Sequence, residues 1–304
     1  MGLFFAVLVS VSIYVILAVS YDLVLGYGGL FSIAHAAFFA TGAYGMAILT
    51  TKDHLPVIVA AAVGVGMSAF LSLVLGYLSV RISNDYLVIV SFGFQTVFIA
   101  LVTNLTSITG GVLGVSTIPP LRLFGLSFSS AASCAYAYLV PASIVVALVW
   151  WLARSPFGRA LRAIRDNVVA AEALGKNGLR FRLWTFAVAG AFAGVAGVMY
   201  AAYVGYISPD AFGNDVNILI FAMVIIGGVG TIVGPFLGAV LLVVVPTLLT
   251  FLPLSTTYFA PAEQAIYGLL LVVFMLAGSG GIYGAAVSAW NWAGSRGRLL
   301  GSTR

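Results

Sequence analysis

The sequence predicts an all-α, polytopic helical membrane protein, one domain over residues 1–304 with about nine transmembrane spans. Three observations carry this. The 304 residues are 62% hydrophobic and only 7% charged, where a soluble chain of this size carries roughly a quarter charged residues. Several apolar runs reach the ~18 residues that a helix needs to cross a bilayer. Helix is the economical form there, because lipid offers no partner for unpaired backbone groups. Finally, seven of the 13 basic side chains fall between Arg154 and Arg182, beside only two acids, Asp166 and Glu172. Lys and Arg gather in short cytoplasmic loops, so the 154–182 segment is expected on the cytoplasmic side.

Residues 3–20 form the first expected span. No basic region precedes it, so a cleaved signal peptide is not expected. Asp22 follows, as a helix cap or an interfacial acid, and then the glycine-rich Gly26 to Gly29. The second span, about 28–50, carries Ser32, His35, Thr41, Gly42, Tyr44 and Gly45. Its small residues permit close helix packing. His35, deep in an apolar run, is either a pathway group or a histidine hydrogen-bonded to a neighbouring helix. After a polar loop at Lys52, Asp53, His54 and Pro56, a third span runs to Arg81 and a fourth ends near Asn104. Asp85 pairs with Arg81 or caps the fourth helix; capping is favoured because an acid suits a helix's positive end. Residues 105–133, rich in Thr, Ser, Gly and Pro, are too broken to span. They read as an external loop with a short helix, either a contact for a substrate-delivering protein or a plain connector.

The fifth span, about 134–152, ends in an aromatic pair, Trp150 and Trp151. Cys134 at its start, the single cysteine, is expected to be a small buried apolar residue. In the basic segment, Leu161, Ile164, Val168 and Ala171 recur at helical spacing, with Gly175 and Gly178 where a helix would stop. That short amphipathic helix lays its apolar face on the bilayer, on the chain's own helices, or on a soluble subunit. A sixth span, about 183–205, sets Gly190, Gly194 and Gly197 on one face for a close neighbour. The next loop holds Asp210 and Asp215 and no base, consistent with the outside. Residues 217–252 are too long for one span and break at Gly227 to Pro235 into two helices. A last span covers 264–283. The basic tail beyond it, with Arg296, Arg298 and Arg304, falls inside when nine spans alternate; Lys52 lands outside, a minor conflict. Eight or ten spans result if the breaks at 26–29 and 227–235 are re-entrant. Broken helices in corresponding halves suggest a weak internal repeat and often flag a transport pathway.

The run from Ser155 to Asn167, with Ala171 to Gly175 after it, resembles the cytoplasmic loop of LivM-type permeases, the membrane subunits of ABC importers for branched-chain amino acids. Gly26 to Phe39 with Thr41 to Tyr44, Asn84 to Phe94, and Gly227 to Pro235 resemble the same family. Glu172, Ala173 and the glycine after them are also similar to the general coupling-loop motif of ABC importers, without its usual downstream proline. The resemblance covers most of the chain, from about Gly26 to Gly281. It implies a permease that pairs with a homologous LivH-type subunit, two ATP-binding subunits and an extracytoplasmic solute-binding protein, in a bacterial cytoplasmic (inner) membrane. ATP would sit on the partner subunits and no cofactor on this chain. The expected ATPase-coupling residues are Leu161, Arg162, Ile164, Arg165, Asp166, Val168, Glu172 and Gly175. Leu161, Ile164 and Val168 are expected to fill a groove of the ATPase, with the charged four making polar contacts around it. Polar or backbone-exposing positions within the spans, Ser32, His35, Ser91, Gln95 and Gly228, are the expected substrate pathway.

Charge within the spans is scarce, which argues against a proton- or sodium-driven pump relying on buried carboxylates. The net charge of +5 is concentrated in the loop and tail, a signature of orientation and not of nucleic-acid binding. A self-sufficient channel or secondary carrier for a small neutral solute is the competing class, although it has no need of a docking helix. No nucleophile–base pair or metal spacing supports an intramembrane enzyme. Within the importer class, urea, short amides and other amino acids compete with branched-chain amino acids as substrate.

Overall fold

The computed structural model describes residues 2–82, 84–120, 131–249, 265–273, 281–282 and 284. The chain is a multi-pass helical membrane protein. Six of its helices are long and apolar enough to cross a bilayer: Gly2–Tyr27, Val57–Arg81, Tyr86–Asn104, Ser133–Arg154, Gly178–Val204 and Pro209–Gly227. Two more apolar helices, α2 and α11, have 17 residues each, so eight of the nine expected spans have a helix among the described residues. Of the ninth, 264–283, residues 265–273 are helical; most of the remainder and the tail arginines lie outside the described residues.

α1 (Gly2–Asp22) is an unbroken apolar run and continues as a π-helical turn, Leu23–Tyr27. The turn ends where Gly29 adopts a left-handed φ of 64°, a conformation only glycine takes at little cost. Residues 28–34 are not helical, and α2 (His35–Thr51) follows, buried along nearly its whole length. α3 (Val57–Arg81) starts after Pro56 and buries a stripe of small residues, Ala60, Gly64, Ser68, Ser72, Gly76 and Ser79, while Met67, Phe70 and Val74 face outward. Small residues inward and large apolar ones outward is the pattern of a helix facing lipid, where close packing and not burial from water drives association.

The glycines of α9 (Gly178–Val204) have the expected role. A Cβ on Gly190 would strike Ser72, on Gly194 Ser68, and on Gly197 the α2 backbone at Phe39; Gly42 of α2 lies against the Gly194 backbone. The Ser68 hydroxyl sits 2.8 Å from the Phe38 carbonyl and 2.7 Å from that of Gly190, at the junction of α2, α3 and α9. Gly194→Leu is therefore expected to cost about 3 kcal/mol through overpacking. Gly66→Leu, on α3 where nothing lies within 4 Å of an added Cβ, is expected to leave stability unchanged. Thermal unfolding of the two variants in detergent checks this.

α4 (Asn84–Asn104) turns Leu87, Ser91, Gln95 and Val102 inward. α6 (Ala131–Arg154) packs on α1. α10 (Asn214–Gly227) and α11 (Val233–Leu249) form a hairpin about the expected glycine break, with Gly227 against Gly234 and Gly238 against the Met223 carbonyl. α9 begins at Gly178 rather than 183, because the Asn177 side chain accepts from the Arg180 N–H at 3.1 Å and caps it. Gly178 thus starts a helix instead of ending one, and Arg182 reaches the Ser79 carbonyl at the end of α3 (3.1 Å). Arg81 rests on the Tyr77 ring, 4.9 Å from its centroid. The expected capping by Asp85 lies outside the described side chains.

At the end of the bundle opposite the basic segment, the 105–120 stretch contains the short helix α5 (Thr106–Thr109) and a strand β1 (Val115–Ser116) paired antiparallel with β2 (Tyr206–Ile207). Residues 121–130 of that loop lie outside the described residues. Lys52 donates to the Ser107 carbonyl and, at 2.8 Å, to that of Ile108. Its charge completes the carbonyl end of a helical turn there, a physical account of why this base breaks the charge rule.

Candidate functional site

The basic segment folds as two helices where one was expected. α7 (Pro156–Asp166) has proline in its first turn and Ser155 as cap, the Phe157 N–H donating to Ser155 Oγ at 3.1 Å. At Asn167 the backbone is extended (φ −156°, ψ 104°), and its side chain accepts from the Ala170 N–H at 3.0 Å to start α8 (Val168–Ala173). Asparagine competing for backbone donors ahead of two valines was the available signal for this break. Gly175, at φ 78°, ends α8 as expected, with the Lys176 N–H returning to the Ala171 carbonyl at 3.0 Å.

The break resets the helical phase and changes which residues face outward. Leu161 and Ile164 are 0% and 1% exposed. Leu161 packs with Leu23, Tyr27 and Ala153, edged by Phe157, Phe181 and Ile232. This corrects the expectation that these two side chains fill a partner's groove: they seat α7 on the membrane helices of its own chain. Val168 is half-buried. The outward apolar side chains are Val169 and Leu174, 78% and 82% exposed, among exposed Ala163, Asp166, Ala170, Glu172 and Ala173. Both were missed because a single helix over 161–174 gives them no common apolar stripe.

Beneath α7 the two glycine breaks meet. Arg165 donates from Nη1 to the Gly26 carbonyl at 2.6 Å, and its Nε and Nη2 each lie 2.9 Å from Asp166 Oδ1. Its aliphatic stem occupies the space a side chain on Gly29 would need. Arg162 lies 5.7 Å from the centre of the Tyr27 ring. Asp22, expected as a cap or an interfacial acid, is instead buried, and its Oδ1 accepts from the Gly230 N–H at 2.8 Å. A Cβ on Gly26 would overlap both Asp22 and the Gly230 backbone. Gly228 belongs here: its carbonyl accepts from the Thr231 hydroxyl at 2.9 Å.

The other four expected pathway residues gather around the N-terminus of α2, which opens inside the bundle beside Ser20 and Tyr21 of α1. His35 Nε2 lies 2.9 Å from Ser20 Oγ, and the Tyr21 hydroxyl donates to the Ser32 carbonyl at 2.9 Å. The Ile33 N–H donates to Ser91 Oγ and the Ala36 N–H to Asn217 Oδ1, each at 2.8 Å. Gln95 donates to the Phe212 carbonyl at 2.9 Å. Ser32 Oγ, Gln95 Oε1 and Asn217 Nδ2 are buried and have no hydrogen-bond partner among the described residues. Such groups cost about 1–3 kcal/mol each when left unmade, and three of them lie in this part of the bundle. The sequence places Asn217 at the start of a span, where a lone amide ahead of an apolar run is its signal. Among the described residues, no group of three or more His, Cys, Asp or Glu comes together to hold a metal.

Residues 3–276 match the family model described as branched-chain amino acid transport system / permease component. The chain is 34% identical over 255 residues to the high-affinity branched-chain amino acid transport system permease protein LivM of Escherichia coli (strain K12), a match covering 76% of this chain and 60% of that protein. It is 29% identical over 232 residues to the probable branched-chain amino acid transport permease protein LivM of Methanocaldococcus jannaschii, covering 70% and 67%. With the autoinducer 2 import system permease protein LsrC of Yersinia pestis it shares 32% identity over 135 residues, covering 42% and 37%. The chain thus spans 60% of the length of the Escherichia coli and Salmonella typhimurium LivM proteins. No solved structure matches it.

Proposed function

The chain belongs to the branched-chain amino acid transport system permease family, and from that premise we propose that it is one membrane-spanning subunit of an ATP-driven ABC importer for branched-chain or other small amino acids. It pairs with a homologous LivH-type subunit in a bacterial cytoplasmic membrane. Two ATP-binding subunits dock on the basic, cytoplasmic end and hydrolyse the ATP. A solute-binding protein delivers substrate at the opposite end. Transport is alternating access: ATP binds the two conformations with different affinity, which is the only way it can shift their balance.

The observation that carries this proposal is the α7–α8 surface, whose outward side chains Val169 and Leu174 are exposed while its inward ones rest on both glycine breaks. A soluble ATPase bound there pushes on the breaks without entering the membrane. The polar nest at the N-terminus of α2 suits the substrate end of the path, because a carboxylate is favoured at a helix N-terminus.

Uptake of labelled leucine into liposomes holding this chain and its partner subunits tests the proposal. Uptake is expected to need both ATP and the binding protein. Uptake indifferent to ATP would instead point to a channel or carrier. One observation favours urea or short amides as the alternative substrate: the nest offers the amide side chains of Gln95 and Asn217, and among the described residues no carboxylate, lysine or arginine bonds to the groups that line it. ATPase activity stimulated by urea or an amide, with no leucine uptake, would replace the substrate and keep the mechanism.

A further inference from the structure

We propose that Arg165 and Asp22 are positioning residues that form a two-link clamp, through which displacement of α7 reaches the segment 28–34 and the polar nest it carries. The proposal rests on the importer function above and assigns the route by which that function is coupled.

Each link is a side-chain contact between elements far apart in sequence, 139 residues for Arg165 and Gly26 and 208 for Asp22 and Gly230. Arg165 ties α7 to the first break, donating to the Gly26 carbonyl while its stem lies on Gly29. Asp166, the next residue, holds the other edge of the guanidinium at 2.9 Å and so fixes its plane. Asp22 ties the first break to the second through the Gly230 N–H at 2.8 Å. Between the links, Gly26 and Gly230 touch backbone to backbone, leaving no room for a side chain, so neither break can shift far without the other. Closely packed contacts of this kind move as units rather than deforming smoothly.

The clamp joins the nest directly. Gly29 is three residues from Ser32, and segment 28–34 has no helical hydrogen-bond ladder to hold it. Its contacts include the Gly28, Gly29 and Leu30 N–H groups to carbonyls of Leu23, Leu25 and Val24, the Ala34 carbonyl to the Ala37 N–H, the Ser32 carbonyl to Tyr21, the Ile33 N–H to Ser91, and the Phe31 ring edge-on to Phe221. Tyr21 and Asp22 are neighbours on α1, one holding the nest and the other the second break. A push on α7 through Arg165 therefore reaches the end of segment 28–34 and the α1 turn that anchors it. Asp22 is also poised to change partner, because its Oδ2 is buried with no hydrogen-bond partner among the described residues. Short segments with few backbone bonds are where local opening is cheapest.

In the reconstituted complex, Arg165→Ala and Asp22→Ala are each expected to raise the ATP hydrolysed per leucine transported by about tenfold, with ATP-binding subunits still co-purifying, since Val169 and Leu174 are untouched. Asp22→Asn, which keeps the acceptor for Gly230, and Arg165→Lys, which keeps the charge, are expected to recover most of the coupling. The double alanine variant is expected to be no worse than the worse single one, because both cut one route. ATPase activity and uptake falling in equal proportion would overturn the clamp, leaving Arg165 a structural or docking residue. Hydrogen exchange of the detergent-solubilised chain alone supplies a readout that does not need the importer to work. Amides of 28–34 are expected to exchange about tenfold faster in Arg165→Ala. Unchanged exchange overturns the clamp whether or not uptake depends on ATP. An ATP-independent wild type with faster exchange in the variant would sink the importer function and keep the clamp.

Discussion

Replacing Val169 and Leu174 together with aspartate is expected to release the ATP-binding subunits and abolish ATP-driven uptake, while the chain itself still folds. Both side chains point away from the bundle, so aspartate there stays solvated in the free chain and costs it almost nothing. In the complex each would have to be desolvated against a partner. Well-buried anchors at an interface cost about 2 kcal/mol or more when truncated, and an unpaired buried charge costs more again. Leu161→Ala is the contrasting variant. It is fully buried in its own chain, so the expected loss is about 2–5 kcal/mol of the chain's own stability. Co-purification of the ATP-binding subunits, read beside the melting temperature, separates the two. If the double aspartate variant holds its partners as wild type does, the α7–α8 face is not the docking surface.

How far the fold could be read in advance depends on the range over which each feature is determined. The three glycines of α9 announce a close neighbour by their spacing alone, and they meet one. The break between α10 and α11 is written into adjacent glycines and a proline. The order of spans follows from hydropathy and charge. What escaped was tertiary. Asp22 and Gly230 are 208 residues apart, and nothing local says that one break will bind the other. The stripe Leu161, Ile164, Val168 and Ala171 was recognisable as one face, but periodicity does not say whether a face turns toward its own chain or a partner. Here Leu161, Ile164 and Ala171 turn inward, and Asn167 shifts the outward face to Val169 and Leu174. Ser32, His35, Ser91 and Gln95 were identified as polar exceptions in apolar runs, and the fold gathers them at one helix end. Gly228, chosen on the same grounds, has a place in the second break.

Asn217→Asp is expected to lower leucine uptake by about 10- to 100-fold, the loss of a hydrogen bond to a charged group worth about 1.5–3 kcal/mol. The substitution nearly preserves shape. Asn217 Oδ1, which accepts from the Ala36 N–H at 2.8 Å, has an equivalent in aspartate, and a negative charge suits the start of α2. The shape is kept, but a carboxylate at this buried position is expected to lower the melting temperature by a few degrees, so uptake is compared at equal amounts of folded chain. What disappears is the one donor that Asn217 leaves unused, its buried Nδ2, and a carboxylate stands in its place. A substrate that presents its own carboxylate to the α2 N-terminus loses a partner and meets a like charge. Urea or a short amide, which carries no charge, loses much less. Comparing the two substrates in one variant thus reads the charge of the transported molecule as well as the role of the nest. His35→Ala supplies the opposite control: it removes the contact to Ser20 without changing any charge at the α2 N-terminus, so its effect should not distinguish an acid from an amide. Equal leucine uptake by wild type and Asn217→Asp would take the nest out of the substrate path and leave Asn217 as a helix cap.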